Sequence, residues 1–227
     1  TPLLALLLAR QGLPVLVHGT ATEERRASSA DVLAHLGVAP QQVLRTPAPG
    51  SVAYAPTALL LPGLERLLQV RRVLGLRNSA HSLVKLLDPL AHQGLRSIVV
   101  GSYTHPEYAQ SMAATFALTG ACALLLRGTE GEPVADPRRT PQMDAFLHGQ
   151  PQRVQEAQGG PLAALPSLPT AIDAASTSAW IRSVLDGAQP VPAPIAQQVE
   201  HILRLAAQMT TEPAHAVHRP PAPPAPH

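Results

Sequence analysis

The 227-residue chain contains one cysteine, Cys122. A lone thiol excludes an intramolecular disulfide, so stability must come from an apolar core, and a reducing, cytoplasmic setting is expected. Aromatic residues make up only 3% and charged residues 14% of the chain. The core must therefore be aliphatic, and base stacking on aromatic platforms is excluded as the main term in any nucleic-acid contact. No apolar run reaches the roughly 20 residues of a membrane-spanning helix. The first candidate, Leu3 to Ala9, is cut by Arg10, so no membrane partner is expected. The formal net charge of +2 is too small to argue by itself for a polyanionic partner.

What the chain has is aliphatic side chains in a regular order. Apolar residues form 45% of it, enough for one sizeable core. Short apolar runs ending in glycine, LPVLVHG (13 to 19), RSIVVGS (96 to 102) and CALLLRG (122 to 128), lack strict alternation, as strands covered on both faces do. Helical patterns over 2 to 10, 28 to 36, 62 to 74, 79 to 87 and 106 to 119 separate them. Weaker strands are expected at 143 to 149 and 152 to 157, then helices at 171 to 186 and 193 to 208. The fold class is α/β, a central, mostly parallel sheet flanked by helices. One domain over residues 1 to 211 is expected, followed by a disordered Pro-, Ala- and His-rich tail, 212 to 227. The chain opens on Thr1-Pro2-Leu3 without a methionine, and further sequence upstream is expected.

The charge is distributed unevenly. Arg66, Arg71, Arg72, Arg77 and Lys85 occur in a 20-residue stretch without Asp or Glu, bracketed by Glu65 and Asp88. Pro62 in a first turn and Gly75 as a left-handed stop define the helix over 62 to 74, which puts Arg71 and Arg72 in its last turn. Such cations favour the helix dipole by roughly 0.3 to 1 kcal/mol each even without a ligand. On a second helix from 79 to 87, started by Asn78 or Ser79 and ended by Asp88-Pro89, the residues Asn78, His81, Ser82 and Lys85 share one face. Leu83, Val84, Leu86 and Leu87 take the other. A basic helix start of this kind suits phosphate.

Other motifs carry less. His105-Pro106-Glu107 reads as a helix start, Ser28-Ser29 as a cap, Cys122 as a buried inert thiol, and Arg138-Arg139 as solvated or a basic extension. The pair His215 and His218 in the tail lacks a carboxylate or cysteine cluster, and no metal site is assigned.

The stretch QVRRVLGLRNSAHSLVKLLDPL resembles VRRxLGxRTxFNLLGPL of the anthranilate phosphoribosyltransferase family of glycosyl transferases. Three further stretches fall in the same order. Residues 15 to 38 resemble the KHGN loop and Ser-rich turn, 100 to 131 the HPE helix and the strand leading to an acidic pair, and 171 to 208 the C-terminal helices. The phrases TPLLALLLARQGLPVLVHG, GLRNSAHSLVKLL and SAWIRSVLDGAQPVP resemble more closely a non-biosynthetic, YbiB-like branch. That resemblance implies a phosphoribosyltransferase-like fold, with an N-terminal helical domain upstream of this chain. It also implies a homodimer that binds the nucleic-acid phosphate backbone through basic helices, with little sequence preference and no cofactor. Arg66, Arg71, Arg72, Arg77 and Lys85 would contact phosphate, with Asn78, Ser79 and His81 donating hydrogen bonds.

The alternative is a transferase using phosphoribosyl pyrophosphate and Mg²⁺. A residual substrate site would then comprise His18, Gly19, Thr20, Ser28 and Ser29. Departures from the enzyme pattern stand against it. Val17 replaces the motif lysine, Thr20 replaces its asparagine, Leu61-Pro62 stands where the enzymes have His-Pro, and Glu130, Glu132 and Asp136 are scattered around Pro133. The GTGGD turn of the enzymes would lie upstream of Thr1. Arg71 and Arg72 keep the position that holds the substrate carboxylate.

Overall fold

A computed structural model of the chain describes residues 1–21, 27–128, 132–160 and 162–211, with His92 described by its backbone alone. The expected tail, including His215 and His218, lies outside the described residues, as does Glu130.

The elements follow the alternation of the sequence. Helix α1 (Pro2–Arg10) leads into β1 (Val15–Gly19), α2 (Ser29–His35) and β2 (Val52–Pro56). Then come a single turn α3 (Thr57–Leu60), α4 (Pro62–Leu74) and a short α5 (Ala80–Leu83). Strand β3 (Val99–Tyr103), α6 (Pro106–Thr119) and β4 (Ala123–Arg127) form a βαβ unit, and β5 (Met143–Leu147) and β6 (Gln150–Gln155) a hairpin. Helices α7 (Ala174–Leu185) and α8 (Ala193–Thr211) close the fold. The α/β layering is as expected, with the strands hydrogen-bonded in two pieces. Strands β1 and β2 pair in parallel, while the second sheet runs β3-β4-β5-β6, parallel in its first pair and antiparallel in the rest.

The local chemistry explains these boundaries. Proline occupies the first turn of α1, α4 and α6, where its missing N–H costs nothing. Gly75 and Gly120 end α4 and α6 in the left-handed conformation. Ser28 and Asp31 form a reciprocal capping box on α2, as the cap reading of that turn required. His105-Pro106-Glu107 starts α6.

One expected element is not continuous. Over 79 to 87 the helix breaks after Leu83 into a 3₁₀ turn, Val84–Leu86. The cause is Lys85, whose Nζ reaches inward to donate 3.0 Å to the Ser102 carbonyl at the end of β3. Leu83, expected in the core, is consequently exposed. Strand β2 and turn α3 carry no helical or strand pattern of their own; Pro, Ala and Leu dominate residues 52 to 61, and β2 is defined by its pairing with β1.

The main core lies between α1, β4, β5, α7 and α8, with Leu4, Leu8, Leu124, Leu126, Ile181 and Leu205 at its centre. A second cluster packs α6 on the other side, where Phe116 and Phe146 meet at 5.4 Å between ring centroids. Buried Gln198 on α8 bonds both the Ala135 N–H and the Pro133 carbonyl, fixing the segment after β4. Among the described residues no helix is long and apolar enough to cross a membrane.

The β5–β6 hairpin turns on His148 and Gly149, both at positive φ (50° and 80°), the pairing a two-residue type I′ loop requires. A Cβ at Gly149 would also lie 2.7 Å from the Ala117 carbonyl oxygen. Gly149→Ala is therefore expected to destabilise the protein by about 1–3 kcal/mol, read as a lower urea midpoint.

Candidate functional site

The C-terminal ends of the parallel strands point the same way, the usual location for ligand chemistry in α/β folds. His18 and Gly19 end β1 there and Thr20 follows, while Pro56, paired with Gly19, ends β2 and leads into Thr57. Helix α4 packs over this edge. Its residues sort onto three faces by helical period. Leu64 and Leu68 are buried; Glu65, Gln69 and Arg72 face the chain leaving β1; Arg66, Leu67, Val70, Val73 and Leu74 face outward.

The inner face is held by hydrogen bonds. The Thr20 hydroxyl donates 2.8 Å to Glu65 Oε1, Gln69 Nε2 donates to the same oxygen, and Arg72 Nη2 donates 3.3 Å to the Ala21 carbonyl. Thr20, placed by its motif in a residual substrate site, is thus committed to α4. Burial holds the His18 imidazole below its ordinary 6.5, against the opposing pull of the Leu87 carbonyl and Asp88. Tyr54 donates 2.9 Å to the Gly19 carbonyl, and burial with Glu65, Asp31 and Glu132 nearby pushes its hydroxyl up to about 12. Ser28 is occupied in capping α2, while Ser29 donates 3.1 Å to Glu132 Oε2.

The outward side is basic. Arg66 and, in the turn after α4, Arg77 and Ser79 are exposed, Arg71 is half-buried, and Arg72 is exposed while bonded to Ala21. The bracketing carboxylates turn away from this face. Glu65 is bound to Thr20 and Gln69, and Asp88 accepts from the backbone N–H of Leu90 and Ala91 and from the Ser97 hydroxyl. Asn78 Oδ1 accepts from Ala80 N at the start of α5, and its Nδ2 donates 2.7 Å to the Leu67 carbonyl. His81 is half-buried against Asn78. The structure therefore leaves Arg66, Arg77 and Ser79 exposed, with Arg72 exposed but bonded to Ala21, and turns Asn78, His81 and Lys85 into the scaffold. Burial and the neighbouring Arg77 lower the Lys85 ammonium from 10.5, with Glu132 opposing.

No family model matches the chain. It is 37% identical to YbiB of Escherichia coli over 204 residues, 85% of this chain and 60% of YbiB. It is 31% identical over 160 residues to the anthranilate phosphoribosyltransferase of Salinispora arenicola, 69% of this chain and 41% of the enzyme. That of Mycolicibacterium paratuberculosis is 28% identical over 192 residues. The chain belongs to the family of YbiB and the anthranilate phosphoribosyltransferases. It spans 60% of YbiB's length and 41% and 51% of the two enzymes'.

The described acidic residues after β4 do not fit the metal pair that the resemblance implies under the transferase alternative. Asp136 is buried with Oδ1 taken by Arg138 and Oδ2 by Arg139, and Glu132 instead meets Ser29 and the Thr1 hydroxyl. Arg138 and Arg139 are a clamp on Asp136 rather than a free basic extension. Among the described residues no group of three or more His, Cys, Asp or Glu could hold a metal ion. Cys122 is buried, as expected.

Sequence reasoning missed Glu65, Gln69, Tyr54 and Thr57 as site residues. The spacing of Glu65, Gln69 and Arg72 at i, i+4 and i+7 was the available signal for the first two. Tyr54 and Thr57 enter only through strand pairing.

Because the folded state holds the His18 pKa below 6.5, the unfolded chain takes up a proton first as pH falls. The His18 contribution to stability is expected to be full above 6.5 and lost on acidification below it. His18→Gln should flatten that part of the urea-midpoint pH profile, leaving the part due to His201, which burial also lowers.

Proposed function

We propose that this chain binds nucleic acid through its phosphate backbone, on the outward face of α4 and the turn that follows, without ribosyl transfer. One observation carries the reading. Arg66, Arg72 and Arg77 are exposed along α4 and the turn that follows it, while the flanking carboxylates, Glu65 and Asp88, are engaged in hydrogen bonds of their own. Exposed guanidinium groups suit a polyanion, since their planar fork can grip phosphate in a bidentate manner. Arg71 stands half-buried in the same turn. Exposed Val73, Leu74 and Leu76 between the arginines offer apolar contact to sugar faces. Few aromatics accompany them, so phosphate contact supplies most of the affinity and sequence preference is weak. A homodimer would present this surface twice and add avidity.

The similarity to anthranilate phosphoribosyltransferases favours a second reading, transfer of a phosphoribosyl group to an aromatic acid. Val17 and Thr20 in the motif loop, the tie of Thr20 to Glu65, and the Arg138 and Arg139 clamp on Asp136 weigh against it.

Fluorescence anisotropy with a labelled oligonucleotide tests the proposal. Affinity is expected to fall with salt at a slope of roughly 0.7–0.9 per phosphate neutralised. Each of Arg66→Gln, Arg72→Gln and Arg77→Gln should reduce that slope by about one, and Lys85→Gln, whose ammonium is bound to Ser102, should change it less. Unchanged binding after all three arginine substitutions would overturn the reading. Loss of anthranilate fluorescence with phosphoribosyl pyrophosphate and Mg²⁺ would establish the enzyme instead.

A further inference from the structure

Behind the basic surface, the ends of β1 and β2 hold polar atoms that have no hydrogen-bond partner. They are Thr57 Oγ1, Glu65 Oε2, Gln69 Oε1 and His18 Nδ1, all inaccessible to solvent. The residue Thr57 is 0% exposed. Their placement is common. Thr20 Oγ1 bonds Glu65, Gln69 bonds Glu65, Thr57 directly follows Pro56, the register partner of Gly19, and His18 precedes Gly19 at the end of β1.

A buried acceptor left bare costs about 1–3 kcal/mol, more when charged. Two of these atoms, a carboxylate oxygen and an amide oxygen, can only accept. Glu65, Asp31 and Glu132 all act on the nearby Tyr54 hydroxyl in the same direction. The Glu65 carboxylate meets in its hydrogen bonds only the neutral Thr20 hydroxyl and Gln69 amide.

We propose that this cluster is a monovalent-cation site, in which Glu65 Oε2, Gln69 Oε1 and Thr57 Oγ1 hold a potassium or ammonium ion between the strand ends and α4. Hard oxygen donors suit such a cation. A single carboxylate argues against Ca²⁺, which takes 6–8 oxygens, commonly from several carboxylates, and Mg²⁺ demands near-ideal octahedral geometry. The bound ion would fix α4 over β1 and β2, and so the orientation of the arginine surface. This inference does not depend on nucleic-acid binding.

Thermal unfolding of the chain in potassium, ammonium, sodium and N-methylglucamine chlorides of equal ionic strength provides the first test. The melting temperature is expected to be higher in potassium or ammonium and to rise with its concentration, as mass action requires. A crystal soaked in a thallium salt should show an anomalous peak beside Glu65. Gln69→Leu is expected to weaken the cation dependence on the order of tenfold, the loss of one charge-assisted contact, and Glu65→Gln to abolish it. If Glu65→Gln fails to fold, Gln69→Leu decides. Equal melting temperatures in all four salts, an absent thallium peak, or a Gln69→Leu variant with undiminished cation dependence would each overturn the proposal.

Discussion

The bond between the Thr20 hydroxyl and the Glu65 carboxylate joins the end of the first parallel strand to the helix that carries the arginines. It decides which way α4 is rotated. With Glu65 facing β1, the period of 3.6 puts Gln69 and Arg72 on the same side and carries Arg66, Val70 and Val73 around to solvent. The acid nearest the basic run is thereby removed from it. A helix rotated by half a turn would bury Arg66 and expose Glu65, and the outward surface would lose its single sign of charge.

Under the proposed function, the same bond is part of what turns a phosphoribosyltransferase-like scaffold from transfer to binding. A strand-end loop that presents its polar residue to a small substrate must leave that residue's hydrogen-bonding capacity open. Here Thr20 gives its proton to Glu65, Arg72 ties down the Ala21 carbonyl, and Asp136 is saturated by two guanidinium groups. Each of these contacts spends on the fold a group that transfer chemistry would need. Arg66 stands exposed on the same helix, and surface charge is tolerated on a helix whose buried face is already sufficient.

The parts of this arrangement legible in the sequence are those set by short-range chemistry. Pro62 and Gly75 bound α4, and Pro106 and Gly120 bound α6. The aliphatic runs of β1, β3 and β4 could be read because strands buried on both faces need no alternation. The basic surface was legible as a charge run, because the absence of Asp and Glu is a property of the sequence. Its direction was not. Lys85 lies at the helical spacing of Asn78 and His81, yet the carbonyl of Ser102 pulls it inward and breaks the helix behind Leu83. That carbonyl is 17 residues away in the chain, and no local pattern announces it.

Strand β2 makes the complementary point. VAYAP has two strand formers, Val52 and Tyr54, between alanines and before a proline, and β2 is defined by its pairing with β1. Its tyrosine then bonds the Gly19 carbonyl at the strand end, and its following threonine enters the polar cluster. A segment with no signal of its own thus completes the site that α4 covers. Glu65 is held against the strand end and Arg66 stands exposed beside it, so adjacent residues of α4 put opposite charges on different faces. Whatever satisfies the buried acceptors must also steady that arrangement, because freeing Glu65 would return a negative charge to the surface where the arginines stand.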